Sequence, residues 1–276
     1  MPTRPTIVIT GASDGIGAEA ALALAAQGQR VIVVGRSPEK TARVAERAGA
    51  EHLVADFARL DDVRRLAAEI RERVEAIDVL ANNAGGVAGP RRVTADGFEA
   101  TFQINHLAPF LLTHLLMEPL LTGGGAVVNT ASAAHRTGRL DLADLGNERR
   151  YSPGRAYAAS KLANVLHARG LHARFHEQGL SAVAFHPGVV ATSFASSSNG
   201  FFRFLYSFPL TRRLMVPAAE GGADLAWFLA GEPGRTWASG AYYDKRVLAR
   251  PAPAALDDEL ADGLWQRSTD LLGLAH

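Results

Sequence analysis

Tyr157-Ala158-Ala159-Ser160-Lys161 carries the sharpest chemical possibility in this 276-residue chain. On a helix, residues i and i+4 share a face. A free phenol ionises near pH 10 and is a poor base at neutrality. A neighbouring ammonium favours the phenolate and lowers that value. Tyr157 beside Lys161 could then exchange a proton with a carbonyl or hydroxyl oxygen near neutral pH. Alone, the spacing equally fits a half-buried tyrosine with a lysine stretched beside it. Tyr151 and Arg155 repeat the spacing, but Pro153 and Gly154 between them oppose helix.

A second constellation sits near the start. Thr10-Gly11-Ala12-Ser13-Asp14-Gly15-Ile16-Gly17 joins an apolar run to a helical pattern. Glycines at this spacing permit a tight turn and close backbone approach to a pyrophosphate. The helix that follows offers unpaired N–H groups to the phosphates. The next apolar run ends Val34-Gly35-Arg36-Ser37, where an NAD site commonly places a carboxylate. None stands there. Arg36 offers instead a cationic fork for a 2′-phosphate, with Ser37 as a further donor. This favours NADP(H) over NAD(H), although Asp14 in the glycine loop counts against it by repelling that phosphate. A solvated arginine opening a helix is the duller reading of Arg36.

Such groups need a frame. Short β-branched runs recur at Thr6–Thr10, Val31–Val34, His52–Ala55, Ile77–Ala81, Ala126–Thr130 and Ser181–Phe185, with a seventh at Ala241–Asp244. Between them lie the helical patterns Ile16–Gln27, Pro38–Ala48, Asp61–Val74, Ala95–Leu121 and Arg155–Gln178. Strand–helix alternation requires crossovers and a parallel sheet covered on both faces. Residues 1–276 therefore read as a single α/β domain. The expected fold is a Rossmann-type doubly wound parallel sheet of about seven strands, with helices on both faces. Residues 133–156 read as a polar insertion. Residues 193–216, rich in Ser, Phe and Leu, read as a substrate lid.

Composition narrows the class. Lys plus Arg is 29 and Asp plus Glu is 28, so the net charge of +1 gives no reason to expect nucleic acid. Hydrophobic residues make up 47% and charged residues 21%, the balance of a folded core. With no cysteine, disulfides and thiolate zinc sites are excluded. A cytoplasmic location fits this, and no leader pattern or membrane span is read. His167, His172 and His176 share a helix and read as a surface face, not a metal site.

The constellations combine with others in chain order: Asn82-Asn83-Ala84-Gly85, Asn105, Ser132, and His186-Pro187-Gly188-Val189-Val190-Ala191-Thr192. Together they resemble the short-chain dehydrogenase/reductase family over nearly the whole chain. The long gap from Ser132 to Tyr157 is similar to the branch with retinol dehydrogenases, the WW-domain oxidoreductase and protochlorophyllide reductase. The resemblance implies that Tyr157 is the acid/base, and that Lys161 tunes it and holds the nicotinamide ribose. It implies that Ser132 bonds the substrate oxygen and that Asn105 anchors a water behind Lys161. Choosing Ser132 over Thr130 follows the family pattern Asn129-x-x-Ser132. Gly11, Ser13, Gly15, Ile16 and Gly17 match the pyrophosphate loop. Asp56, followed by Phe57, matches the adenine contact. Asn83, Ala84 and Gly85 match the adenosine side, and Pro187, Gly188, Val190 and Thr192 the nicotinamide side.

Each position also has a plainer reading: Ser132 as a turn cap, Asp56 as a helix cap, Asn105 at a kink before Pro109. The expected function is hydride transfer between NADP(H) and an apolar ketone, aldehyde or alcohol. The alternative is an NADP(H)-binding sensor or scaffold without catalysis. The expected partner is a small-molecule carbonyl or alcohol substrate, with homodimer or homotetramer assembly.

Overall fold

β1 (Thr6–Thr10) buries all five of its residues, as a continuous apolar strand must when both faces of its sheet are covered. The structure, a computed structural model, describes residues 4–87, 89–188 and 216–275. α1 (Gly15–Ala26), β2 (Arg30–Gly35), α2 (Pro38–Ala48), β3 (Glu51–Val54), α3 (Leu60–Arg73) and β4 (Val79–Asn82) follow in alternation. α2 shows why such segments stop where they do. Ser37 caps its first turn, Pro38 opens it, and left-handed Gly49 ends it.

The helical pattern read over 95–121 starts only at Ala100 and is divided near the kink weighed before Pro109. α4 (Ala100–Phe102) leads into a π-helical turn at Gln103–Leu107, then α5 (Ala108–Leu115) and α6 (Met117–Thr122). Glu99 starts the first piece by accepting from the Thr101 and Phe102 amides. The wider turn surrounds Asn105, whose side chain is tied to a neighbouring loop. Next come β5 (Ala126–Thr130), α7 (Pro153–Phe175), β6 (Ser181–His186), α8 (Ala218–Ala230), β7 (Tyr242–Asp244), β8 (Val247–Leu248) and α9 (Asp258–Leu272). α7 begins at Pro153 on a Ser152 cap, so the insertion ends earlier than the sequence implied.

The sheet has eight strands in the order β3-β2-β1-β4-β5-β6-β7-β8. About seven were expected; the eighth is the two-residue β8, antiparallel to β7. A two-residue strand carries too little periodicity to be read. Val8, Leu80 and Val127 point to the face covered by α3, α5, α7 and α9. Ile9, Val33, Val128 and Phe185 point to the face covered by α1, α2 and α8. α8 approaches α1 closely at Gly222, where a Cβ would meet Glu19 Cβ at 2.4 Å. Among the described residues no helix is long and apolar enough to cross a membrane.

Candidate active site

Strand order reverses between β1 and β4, so their C-terminal ends leave a crevice. A cavity of about 930 Å³ opens there. One side is the glycine loop: Gly11, Ser13, Gly15, Ile16 and Gly17 all line it. Gly11 has φ +66°, and a Cβ there would come within 2.7 Å of Ala84 Cα. Only glycine satisfies both demands. Asp14 caps α1 by accepting from the Gly15 amide at 2.8 Å.

Asn83 fixes this loop to the sheet. Its Nδ2 donates to the carbonyls of Thr10 (3.0 Å) and Gly11 (3.4 Å), and its Oδ1 accepts from Thr130 Oγ1 at 3.2 Å. Thr10 Oγ1 donates to Ala81 O and accepts from the Asn83 and Ala84 amides. Ala84 and Gly85 line the cavity beside Asn83.

Arg36 and Ser37 border the cavity at the end of β2, with Asp56 and Phe57 beyond β3. The Ser37 hydroxyl accepts from the Lys40 amide and donates to Glu39, so it serves α2 first. Asp56 Oδ1 accepts from the Ala58 amide, a local turn and not the helix cap weighed from sequence. Lys40 also borders the cavity, and its ammonium lies 3.2 Å from Asp14 Oδ2. That pairing offsets the one carboxylate that counted against a phosphate. Lys40 was missed from sequence, although a lysine in the first turn of the helix that opens just after Arg36 is a readable signal.

The other side brings Ser132, Tyr157 and Lys161 to the same cavity. Lys161 Nζ sits 5.7 Å from the centre of the Tyr157 ring. It donates to Thr130 O at 2.9 Å, and Asn164 Nδ2 donates to that carbonyl at 3.2 Å. Burial brings the Lys161 ammonium down to about 8. Ser132 caps the 3₁₀ turn Ala133–Thr137, its Oγ accepting from the Ala134 amide at 3.2 Å. Its plain role as a cap therefore coexists with exposure to the cavity. A hydroxyl that accepts one bond still has its hydrogen to donate.

Asn105 is the exception among the described candidates, because it stands behind the wall. Its Oδ1 accepts from the Gly86 amide at 2.7 Å, and its Nδ2 donates to Gly86 O and to Ser160 Oγ. Ser160 Oγ donates to Tyr157 O at 2.8 Å. A Cβ on Gly85 would lie 3.1 Å from Asn105 Oδ1 and 3.4 Å from Lys161 Nζ. Pro187 and Gly188 line the cavity after β6. Val190, Thr192 and the span 193–215 lie outside the described residues.

Other expectations are sorted by the same geometry. Tyr151 precedes α7 and donates to Gly89 O at 3.0 Å, so it shares no helical face with Arg155. His176 is exposed, His172 is half-buried against Ser239, and His167 is buried, correcting the surface reading of all three. No group of three or more metal-ligating side chains occurs among the described residues. His186 borders the cavity, and burial holds it below the usual histidine range.

The chain compares as a whole with known proteins. A family model described as short chain dehydrogenase matches residues 5–200. A protein of Streptomyces sp. (strain C5) named "Putative daunorubicin C-13 ketoreductase DnrU" is 43% identical, the match covering 99% of this chain and 94% of that one. Retinol dehydrogenase 13 of Homo sapiens is 37% identical, with 98% and 85% covered. The crystal structure of an uncharacterized protein from Mycobacterium Paratuberculosis superposes with a TM-score of 0.79 at 31% identity, covering 99% of this chain and 94% of that one. Similarity that runs through both ends of the cavity, and not the nucleotide half alone, settles the kinship: the chain belongs to the short-chain dehydrogenase/reductase family of oxidoreductases.

Proposed function

We propose that this oxidoreductase interconverts a ketone or aldehyde and its alcohol on a small, largely apolar molecule, using NADP(H), with Tyr157 as general acid/base. The observation that carries the reading is the Lys161 ammonium 5.7 Å from the Tyr157 ring, on the cavity that the glycine loop also borders. The loop suits a dinucleotide: Gly11, at φ +66°, packs so closely on the Ala84 backbone that no Cβ fits, which holds the tight glycine turn at the edge of the cavity. Gly11, Ser13, Ile16 and Gly17 would hold the pyrophosphate at the start of α1. Asp56 and Asn83 would face the adenosine, and Pro187, Gly188, Val190 and Thr192 the nicotinamide. When bound, the nicotinamide supplies or takes the hydride.

The chain itself manages a proton and an oxygen. Ser132 and Tyr157 donate hydrogen bonds to the substrate oxygen, which polarises a carbonyl. Tyr157 O–H then gives its proton to that oxygen as it becomes an alcohol. Lys161, held at the Thr130 carbonyl, stabilises the resulting phenolate electrostatically. Asn105 steadies the arrangement through Ser160, and the water that the family resemblance assigns to it would complete proton exchange.

Arg36 and Lys40, both bordering the cavity, support a 2′-phosphate and hence NADP(H). The two relatives are by name a ketoreductase and a retinol dehydrogenase, both of the carbonyl–alcohol kind. The cysteine-free sequence fits a cytoplasmic site of action. Self-association as a homodimer or homotetramer belongs to the same reading; Trp265 of α9 packs on Phe110 of α5, ring centres 4.8 Å apart. Oxidation of NADPH in the presence of a panel of apolar ketones and aldehydes tests the reading. Turnover that survives Tyr157→Phe, or NADH used as well as NADPH, overturns it.

A further inference from the structure

His135 does no chemistry in the reading above, yet it is fully buried and hydrogen-bonded on both ring nitrogens. The Ala252 amide donates to its Nε2 at 3.1 Å. Nε2 therefore carries the lone pair and Nδ1 the hydrogen. Nδ1 in turn donates to the Ser132 carbonyl at 2.7 Å. The His135 backbone amide donates to the same carbonyl at 3.0 Å. Ser132 O is thus held twice by one residue.

The surroundings of the ring make this hold stiff. Tyr242 of β7 lies against it, ring centres 4.6 Å apart. Arg136, the next residue, donates to Arg250 O at 3.1 Å and doubles the link to the C-terminal segment. On the other flank, Gly138 lies so near α7 that a Cβ would sit 2.5 Å from Ala158 O. The turn that carries Ser132 is therefore wedged between the helix of Tyr157 and the strand of Tyr242.

We propose that His135 is a positioning residue for Ser132: by gripping the Ser132 carbonyl, it aims the hydroxyl at the substrate oxygen. The proposal rests on the reading of Ser132 as a substrate contact. Small displacements of a group that must meet a reacting atom cost rate steeply, whereas cofactor binding lies elsewhere and is untouched.

Three replacements separate positioning from packing. His135→Asn keeps a donor near Nδ1 and loses the acceptor for Ala252. His135→Gln keeps an acceptor near Nε2 and loses the donor to Ser132. His135→Phe keeps a ring on Tyr242 and loses both. Turnover of a ketone, NADPH affinity by fluorescence titration and melting temperature are measured for each. The expected result is about a tenfold fall in kcat for the Gln and Phe variants. NADPH affinity stays unchanged, and Asn recovers most of the loss. On a Ser132→Ala background, His135→Phe adds no further loss.

Losses in Asn and Gln that simply follow their melting temperatures overturn the proposal. So does a full additional loss on the Ser132→Ala background, which leaves the role of Ser132 intact. Ser132→Ala with undiminished turnover overturns the role of Ser132 and this proposal together. If the Phe variant does not fold, the Asn and Gln pair decides alone.

Discussion

α7 buries two ionisable side chains, Lys161 and His167, and the two face different worlds. Lys161 donates to a backbone carbonyl at 2.9 Å and borders the large cavity. His167 faces Phe110 and Trp265, with ring centres at 5.2 Å and 6.0 Å. Its Nδ1 lies 3.3 Å from Asn129 Nδ2, and its Nε2 has no hydrogen-bond partner among the described residues. His106 stands edge-on at 6.0 Å. Burial lowers both groups on α7, Lys161 to about 8 but His167 to about 3. The lesson is that burial alone does not mark a working group. Lys161 keeps a carbonyl partner and an opening toward the cavity, so its charge can serve a neighbour. His167 is a neutral ring in an aromatic core.

The comparison breaks first at Tyr157. Tyr157→Phe should lower turnover about a thousandfold, the usual scale of a lost general acid, while NADPH still quenches or enhances protein fluorescence as in the parent. Lys161→Met should cost about a hundredfold in turnover. It should also change the response of stability to pH. The folded chain holds this lysine near 8 against an ordinary 10.5. Its contribution is therefore present above the ordinary value and lost as pH falls through about 8. The parent should gain stability relative to Lys161→Met between pH 8 and 10.5 in urea titrations; parallel curves would contradict this.

Arg36→Ala should reduce the preference for NADPH over NADH about tenfold in kcat/KM, the loss of one charge-assisted contact. An unchanged ratio would remove Arg36 from the 2′-phosphate. The smallest catalytic effect belongs to His167→Leu, with turnover within about twofold of the parent since no reacting group is touched. Its signature is acid resistance. The unfolded chain protonates this ring near 6.5, the folded chain only near about 3. The parent therefore loses stability as pH falls through that window, and the variant should lose less. Equal slopes in the two proteins would place the titration elsewhere.

Much of the frame was legible because parallel strands buried on both faces leave unbroken apolar runs, as in Thr6–Thr10 and Ser181–His186. The Tyr157–Lys161 spacing survived translation into space because one helix carries both. Legibility failed where local pattern and tertiary need disagree. Gly221 and Gly222 hide α8, since paired glycines disfavour helix; close contact with α1 overrides that preference. α9 was passed over despite its Asp257 cap and the acidic first turn of Asp258 and Glu259. A kink near Asn105 was legible from Pro109, but its partners Gly86 and Ser160, 19 and 55 residues away, were not. The same holds for His135, whose acceptor-side partner is 117 residues away.

Asn83 has a wider reach than its position beside the glycine loop suggests. Its amide hydrogens fasten the crest of that loop, and its oxygen fastens Thr130, the residue whose carbonyl receives Lys161. One side chain thereby rivets the two ends of the cavity at a fixed spacing. Exchanging its nitrogen for a second oxygen would turn fasteners into repelling dipoles at Thr10 and Gly11, so the loop would come loose while the hold on Thr130 stayed.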